Sequence, residues 1–315
     1  MKVKVRLIAK PIGIENVLIT VDSEQTQSIN LEGVWISISP NAYNFTLEQS
    51  LDIDDRQLDD LNNPDKYYEV GNYAYGLCEN LFDKQKTVLK YLKYFYGIPE
   101  LDEYFSFKGV PEWSQDGTNW KPIEMKHRAK WVPTSPIYHL PEPLIDWLPI
   151  LIDRGIEPLF AFIHLSKAFN EKDTRHQWIH ATIAAELAFK EFLSKYDKKL
   201  TSLILKVPSP PLKTLYGDVL FDQTGERSPY LSALHKGTET RNTLIHQPLD
   251  SSPEKYDTEV YLLTVQSAIL HLQYLLNKEV AVLEYFFKLS VDKLDKRLSE
   301  STSKQFKAKT ETKGA

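Results

Sequence analysis

Alternating apolar and polar positions at the start of the chain indicate half-buried β-strands. In residues 2–8, KVKVRLI, the apolar side chains of Val3, Val5 and Leu7 stand at every second position, and residues 17–21 repeat the pattern. Successive side chains of a strand point to opposite faces, so each segment gathers its apolar residues on one face. We therefore predict two strands in this part of the chain.

The next apolar pattern changes phase within the stretch SINLEGVWISIS. Its apolar residues stand at odd positions up to Leu31 and at even positions from Val34 onward. We predict a β-bulge at Glu32-Gly33, because a bulge inserts one unpaired residue into a strand and glycine tolerates the backbone that it requires.

Three further segments give the first part of the chain a mixed character. Residues 48–69 carry eight acidic residues and no calcium-loop pattern, so we expect a solvated loop there. Apolar residues at helical spacing predict a helix over about 73–96, which Gly97 ends. Residues 112–123 are typical of a hairpin that turns at Asp116-Gly117.

From about residue 143 the apolar period becomes that of a helix and remains so. Two short helices are predicted first, separated by Gly155 and Pro158. A longer helix follows, which we expect to begin with a capping box formed by Thr174 and Gln177 and to end near Tyr196.

The predicted fold class is therefore α+β. Residues 1–140 form a mixed N-terminal domain of α-helix and β-strand whose role is unknown, and residues 141–300 form an all-α helical bundle. One or two helices across about 254–298 close this bundle. The tail, 301–315, is basic and poor in apolar residues, and we expect it to be disordered.

Composition and charge argue against several classes of protein. The net charge of −5 and the pI near 6.0 argue against a protein that coats nucleic acid, although they leave room for a local cationic site. The start of the chain lacks the apolar segment of a signal peptide, and no stretch is long and apolar enough for a membrane span. A single cysteine, Cys78, excludes an internal disulfide and a cysteine-based zinc site, so we expect a cytoplasmic protein.

The segment RNTLIHQP, residues 241–248, lies near the end of a helix that we predict to begin at Tyr230 and to end before Pro248. Helical spacing places four polar residues on one stripe of it: His235, Glu239, Asn242 and His246. The neighbouring stripe, which we expect to face the core, comprises Leu231, Leu234, Thr238 and Ile245.

Arg241 and His246 point about 140° apart around this helix, so only the length of arginine lets both reach one ligand. An alternative is that two copies of the helix face each other and each supplies its pair to a shared cleft. His246 lies in the last turn, where the helix dipole favours the imidazolium. A histidine poised to hold a proton beside a fixed cation suits phosphodiester chemistry.

The motif R-N-x3-H, from Arg241 to His246, resembles that of the HEPN superfamily (higher eukaryotes and prokaryotes nucleotide-binding). The segments "WIHATIAAELAFKEFL", "VPSPPLKTLYGDVLF" and "GERSPYLSALHKGTETRNTLIHQP" are similar to bacterial HEPN proteins with that order of helices. The resemblance covers roughly residues 155–280. It implies a helical bundle that forms a homodimer and acts as an endoribonuclease without a metal ion or other cofactor.

The resemblance also implies a role for each residue of the motif. His246 is the acid or base, Arg241 steadies the charge on the phosphate, and Asn242 positions His246 or the phosphate. Attack by the RNA 2′-hydroxyl gives a 2′,3′-cyclic phosphate end. Such domains often act as toxins or phage-defence effectors, so we expect RNA as substrate, an antitoxin or regulatory partner and no membrane. Three residues are supporting candidates: Glu186, His235 and Glu239.

Three alternatives to this assignment remain at the level of the sequence. Residues 175–180 give a second match, from Arg175 to His180, at the start of the long helix. His176 and His180 are spaced as a pair of metal ligands, although no third ligand is evident. A HEPN domain without catalytic activity, which binds a nucleotide or a partner protein, is the main alternative function.

Overall fold

The computed structural model describes residues 1–9, 18–21, 26–38, 45–63, 70–99, 101, 111–123, 137–140, 144–200, 210–246 and 252–311. The chain divides into two compact units, of which the first comprises residues 1–93 and 100–157 and the second residues 94–99 and 158–315. A sheet with helices precedes a long run of helices, so the fold is α+β, as predicted. Residues 141–157, which their periodicity assigned to the helical bundle, lie in the first unit.

The first unit is built on an antiparallel sheet of six strands in the order β3-β4-β5-β1-β6-β7. Its strands are β1 (Lys2–Ala9), β3 (Gln27–Leu31), β4 (Val34–Ile38), β5 (Phe45–Asp52), β6 (Glu112–Ser114) and β7 (Lys121–Pro122). A separate parallel pair joins β2 (Leu18–Val21) to β8 (Ile137–Leu140). The two strands predicted before residue 22 are therefore confirmed.

The central strand β1 shows why the sheet has one buried face. Val3, Val5 and Leu7 are all buried, as their alternation predicted. The intervening side chains lie on the opposite face, where Lys4 pairs with Glu48 at 2.8 Å and the Arg6 guanidinium lies 4.0 Å from the centre of the Trp120 ring. The pattern of the sequence thus separates an apolar face from a polar one.

The predicted bulge at Glu32-Gly33 is wrong, because these two residues form the turn of a hairpin between β3 and β4. Leu31 pairs directly with Val34, and Glu32 and Gly33 adopt φ angles of 49° and 87°. Positive φ at both central residues is the requirement of the two-residue turn that fits the twist of antiparallel strands. The Asn30 Oδ1 atom accepts the Gly33 N–H at 3.0 Å and supports the turn.

The predicted hairpin at Asp116-Gly117 is confirmed between β6 and β7. The Asp116 carboxylate accepts the backbone N–H groups of Asn119 and Thr118, each at 2.8 Å, and Gly117 has a φ of 75°. These hydrogen bonds, led by that from Asn119, hold the pKa of Asp116 well below its ordinary value.

The acidic stretch 48–69 is not the loop that its charge suggested. It contains the end of β5 and the helix α1 (Asp55–Asn62), while residues 64–69 lie outside the described part. Asp54 caps this helix in a capping box, accepting the Gln57 N–H at 2.7 Å. Asp54 serves as a cap, and Asp55 and Asp59 are exposed on the helix, roles that a count of charges does not distinguish from a loop.

Two longer helices cover the apolar face of the sheet in the first unit. They are α2 (Val70–Phe95), close to the predicted bounds, and α3 (Leu144–Asp153). Val88 and Leu92 of α2 and Leu148 of α3 lie against Ile36 and Phe45 of the sheet. The core of the first unit therefore lies between the sheet and these helices.

The second unit is helical. It contains α4 (Ala161–Asn170), α5 (Thr174–Tyr196), α6 (Leu212–Thr214), a π-helical turn (Leu215–Val219), α7 (Leu220–Thr224), α8 (Leu231–His246), α9 (Lys255–Leu276) and α10 (Ala281–Glu311). Helix α9 is buried on most of its surface and packs against α4, α5, α8 and α10. It is the centre of this unit's core.

Two details of the helical unit differ from expectation. The cap of α5 is Asp173, whose carboxylate accepts the N–H groups of Arg175 and His176, rather than Thr174 with Gln177. The tail was expected to be disordered, but α10 continues through residues 301–311, and 312–315 lie outside the described residues. Extending an existing helix costs little, since the unfavourable step is nucleation.

No helix within the described ranges combines the length and the apolar character that crossing a bilayer requires.

Candidate functional site

Helix α8 carries the motif and begins one residue later than predicted, at Leu231. The hydroxyl of buried Ser228 accepts the Tyr230 N–H at 3.2 Å and so supports the start of the helix. The helix ends at His246, and Pro248, the predicted stop signal, lies outside the described residues.

The buried face of α8 is rotated from the predicted one. Leu234, Gly237 and Leu244 are buried, whereas Ile245, which was expected in the core, is 42% exposed. Gly237 causes the difference, because without a side chain it lets α8 approach Tyr261 of α9 closely. The buried face of α8 therefore includes a glycine, which a search for apolar side chains does not detect.

Arg241, Asn242 and His246 lie together in the last two turns of α8. The Arg241 Nη1 atom donates a hydrogen bond to Asn242 Oδ1 at 3.1 Å, so the asparagine is oriented toward the arginine. Arg241 is half-buried, while Asn242 and His246 are exposed. Within the described part of the chain, the His246 side chain makes no hydrogen bond or ion pair, so its imidazole is accessible to a ligand.

The three supporting candidates have local partners. The His235 Nε2 and Glu239 Oε1 atoms lie 3.7 Å apart on the exposed surface of α8, one turn from each other. Glu186 lies on α5 and pairs with Lys190 at 2.9 Å, also one turn away. These pairs are of the kind that stabilises an exposed helix face, and none of the three residues contacts the motif in the described hydrogen bonds.

Two side chains of α5 attach its first turns to α8. A guanidinium N–H of Arg175 donates to the backbone carbonyl of Leu244, and the Trp178 indole N–H donates to the carbonyl of Gly237 at 2.9 Å. The last carbonyls of a helix lack partners within the helix, so Arg175 caps the end of α8 where the motif lies. Sequence reasoning missed this neighbour, because 69 positions separate the two residues.

The second match to the motif therefore has a different environment from the first. Its arginine, Arg175, is committed to a carbonyl of α8, and its histidine, His180, is half-buried with an Nδ1 atom that has no hydrogen-bond partner among the described residues. The described residues contain no cluster of three His, Cys, Asp or Glu side chains placed to hold a metal ion, so His176 and His180 have no third ligand there.

No protein-family model matches this chain, and no curated protein or solved structure does either. The resemblance to the HEPN superfamily therefore depends on the motif and on the helical segments around it.

A polar cluster around the buried His271 was not anticipated, and its other two members, Glu226 and Lys278, are exposed. The two carboxylate oxygens of Glu226 lie 2.6 Å from Lys278 Nζ and 3.6 Å from His271 Nε2. The hydrogen bond from Lys278 lowers the pKa of Glu226, and burial lowers the pKa of His271 although Glu226 acts in the opposite direction. The burial of His271 agrees with a structural role.

Other residues near this cluster are also structural. Tyr216 is fully buried and donates to the Ala185 carbonyl at 2.8 Å, and burial raises its pKa well above the ordinary value. Arg227 pairs with Asp218 at 2.9 Å on the surface. A nucleotide cleft lined by Tyr216, Glu226 and Arg227 would require these partners to separate.

Proposed function

We propose that this protein is a HEPN-type endoribonuclease that acts without a metal ion. In the proposed reaction the RNA 2′-oxygen attacks the adjacent phosphorus, the bond from phosphorus to the 5′-oxygen breaks, and a 2′,3′-cyclic phosphate and a 5′-hydroxyl remain. His246 accepts the proton that the 2′-oxygen loses and donates the proton that the 5′-oxygen gains. Arg241 stabilises the charge that develops on the phosphate.

The observation that carries the proposal is the hydrogen bond between Arg241 and Asn242 beside an accessible His246. A guanidinium has five N–H donors, so the one given to Asn242 orients the group and leaves others for phosphate oxygens. Asn242 is then a positioning residue for Arg241, a more definite role than its place in the motif implied.

We propose a homodimer as the active form. Arg241 and His246 leave α8 in directions about 140° apart, so one helix presents them poorly to a single phosphate. Ile245 projects between these two directions and is 42% exposed. It is thus an apolar side chain among the polar residues of the motif. A second copy of α8 against this surface would cover Ile245 and bring the arginine of one protomer toward the histidine of the other.

The proposed biological role is that of a toxin or phage-defence effector in the cytoplasm, restrained by an antitoxin or another regulatory partner. Uncontrolled cleavage of cellular RNA is harmful, so such an enzyme requires restraint. The first unit, with its sheet and two covering helices, is the part of the chain that would sense a trigger or hold the nuclease inactive.

The competing proposal is a domain of the same type that binds a nucleotide or a partner protein and cleaves nothing. The net charge of −5 favours it, since an enzyme that captures RNA gains from a basic surface. The two proposals differ in whether the accessible imidazole of His246 transfers protons.

The deciding experiment measures cleavage of a mixed RNA pool in excess EDTA by the wild type, Arg241→Ala and His246→Ala. Arg227→Ala, which removes an exposed arginine from its pair with Asp218, is the matched control, and His180→Ala tests the second motif. We expect the wild type and both Arg227→Ala and His180→Ala to leave cyclic phosphate ends and the two motif variants to be inactive. A folded dimeric wild type that leaves the RNA intact would support the binding proposal instead.

A further inference from the structure

A groove between α8 and α9 lies on a different face of α8 from Arg241 and His246. Its volume is about 370 Å³, within the roughly 300 to 1,000 Å³ typical of small-molecule sites. The residues that decide its chemistry are Trp178, Lys236, Gly237, Thr240, Asp257 and Tyr261.

The floor of the groove is aromatic. The rings of Trp178 and Tyr261 stack with centroids 4.2 Å apart and an angle of 15° between their planes. Their polar atoms are occupied, because the Trp178 N–H donates to the Gly237 carbonyl and the Tyr261 hydroxyl lies 2.9 Å from Thr182 Oγ1. Trp178 is 6% exposed and Tyr261 4%, so the floor offers a small area of ring to an apolar group and requires no polar partner.

The walls of the groove, by contrast, carry polar groups without partners. Lys236 and Thr240 lie one turn apart on α8, Asp257 lies in the first turn of α9, and Ser252 precedes that helix. Among the residues that the structure describes, none of these four side chains makes a hydrogen bond or ion pair. One cation, one anion and two hydroxyls thus remain available around an apolar floor.

The positions of the two charges along the helices define the size of a ligand that meets both. Gly237 of α8 is level with Tyr261 of α9, because their atoms are in contact. The two helices run antiparallel, so Lys236, the neighbour of Gly237, lies on the side away from Asp257, which stands one turn before Tyr261. The two residues are therefore separated by about 7.5 Å along the helix axes. That separation suits a molecule of a few bonds between its charged ends.

The balance of charge selects the class of ligand. Asp257 repels a phosphate or another anion that Lys236 attracts, so a nucleotide with two negative charges gains little in this groove. A molecule with one ammonium and one carboxylate satisfies both side chains at once.

We propose that the groove binds a small zwitterion with an apolar body, of the free amino acid or dipeptide class. Its carboxylate pairs with Lys236, its ammonium with Asp257, and its apolar body lies on Trp178 and Tyr261. This site is separate from the proposed nuclease site, and its occupancy does not depend on whether the protein cleaves RNA.

Ligand-observed NMR on the full-length chain tests this proposal with four probes that share one aromatic body. L-phenylalanine and L-phenylalanylglycine carry both charges, N-acetyl-L-phenylalanine only the negative one, and L-phenylalanine amide only the positive one. We expect at least one zwitterion to bind with a millimolar dissociation constant. The two probes with one charge should bind about five-fold more weakly, because each loses one exposed ion pair.

Variants of the two wall residues locate the binding. Lys236→Gln and Asp257→Asn should each weaken the zwitterion about five-fold while leaving the melting temperature unchanged, since both side chains are exposed. Lys288→Gln, which removes a lysine of α10 that pairs with Glu284, is the matched control and should bind as the wild type does. Absence of binding by both zwitterions, or binding that neither wall variant weakens, would overturn the proposal.

Discussion

Gly237 of α8 lies against the ring of Tyr261 of α9, so closely that a β-carbon on residue 237 would stand 2.1 Å from a ring carbon. The ring has little freedom to move aside. It is 4% exposed, it stacks on Trp178, and its hydroxyl is hydrogen-bonded with Thr182. This contact sets both the rotation of α8 and the closeness of the two helices.

Gly237→Ala should therefore destabilise the helical unit. Alanine is the better helix former by about 1 kcal/mol, but forcing a methyl group into a packed contact costs about 1 to 3 kcal/mol and sometimes more. With the β-carbon 2.1 Å from a buried ring, the cost lies at the upper end of that range. We therefore expect a net loss of about 2 kcal/mol in the free energy of unfolding, measured by urea denaturation followed by circular dichroism.

Gly76→Ala is the matched control for this substitution. Gly76 is an exposed glycine within α2, and a β-carbon there would have no atom within 4 Å. Only the propensity term applies, so this variant should gain about 0.5 to 1 kcal/mol. If Gly237→Ala were as stabilising as Gly76→Ala, the close packing of α8 on Tyr261 would be refuted.

Arg175→Gln should loosen the end of α8. The arginine side chain donates to the Leu244 carbonyl, and glutamine is too short to replace that bond. Loss of a hydrogen bond from a charged donor costs about 1 to 3 kcal/mol. We expect faster hydrogen exchange of the amides in the last turn of α8, detected by mass spectrometry.

The control for Arg175→Gln is Arg227→Gln, since Arg227 and its partner Asp218 are largely exposed. An exposed pair contributes between zero and about 1 kcal/mol, so exchange in α8 should not change in that variant. Unaltered exchange at residues 244–246 in Arg175→Gln would show that the arginine does not hold this turn.

The hairpin at Glu32-Gly33 shows which features of the fold the sequence predicts and which it leaves ambiguous. The strands on either side followed from alternation. The shift of phase fitted both a bulge and a two-residue turn, because in such a turn residues three positions apart, here Leu31 and Val34, face the same side. Only the pairing partner distinguishes the two, and a pairing partner is a tertiary property.

Only part of the candidate site could be predicted, again because some of its contacts are tertiary. Local spacing placed Arg241, Asn242 and His246 near the end of one helix, where the structure has them. The rotation of α8 depended on Gly237 and its contact with Tyr261, and the cap from Arg175 depended on a residue 69 positions away. Neither contact leaves a periodic signal in the sequence.

His271 should make stability depend on pH at mildly acidic values. Burial lowers its pKa from the ordinary 6.5, so the unfolded chain binds a proton more readily than the folded one. The contribution of neutral His271 to the free energy of unfolding is therefore fully present above pH 6.5. It declines as the pH falls below 6.5, before the carboxylates titrate. Urea denaturation across this range measures the decline.

His271→Gln should flatten this pH dependence, because glutamine does not titrate. A residual slope will remain, since burial also lowers the pKa of His164. His235→Gln, on the exposed stripe of α8, is the control and should keep the wild-type slope. A slope in His271→Gln as steep as that of the wild type would mean that other groups cause the loss of stability.

Cys78 should be inert toward thiol reagents in the folded protein. It is fully buried in the core of the first unit, and burial raises its pKa to about 12, so neither access nor thiolate is available. Labelling by Ellman's reagent then reports opening of that core. Leu81→Ala, which empties a fully buried position one turn along α2, should cost about 2 to 5 kcal/mol and speed labelling, whereas Gly76→Ala should slow it. Rapid labelling of the native wild type would instead place the thiol at the surface.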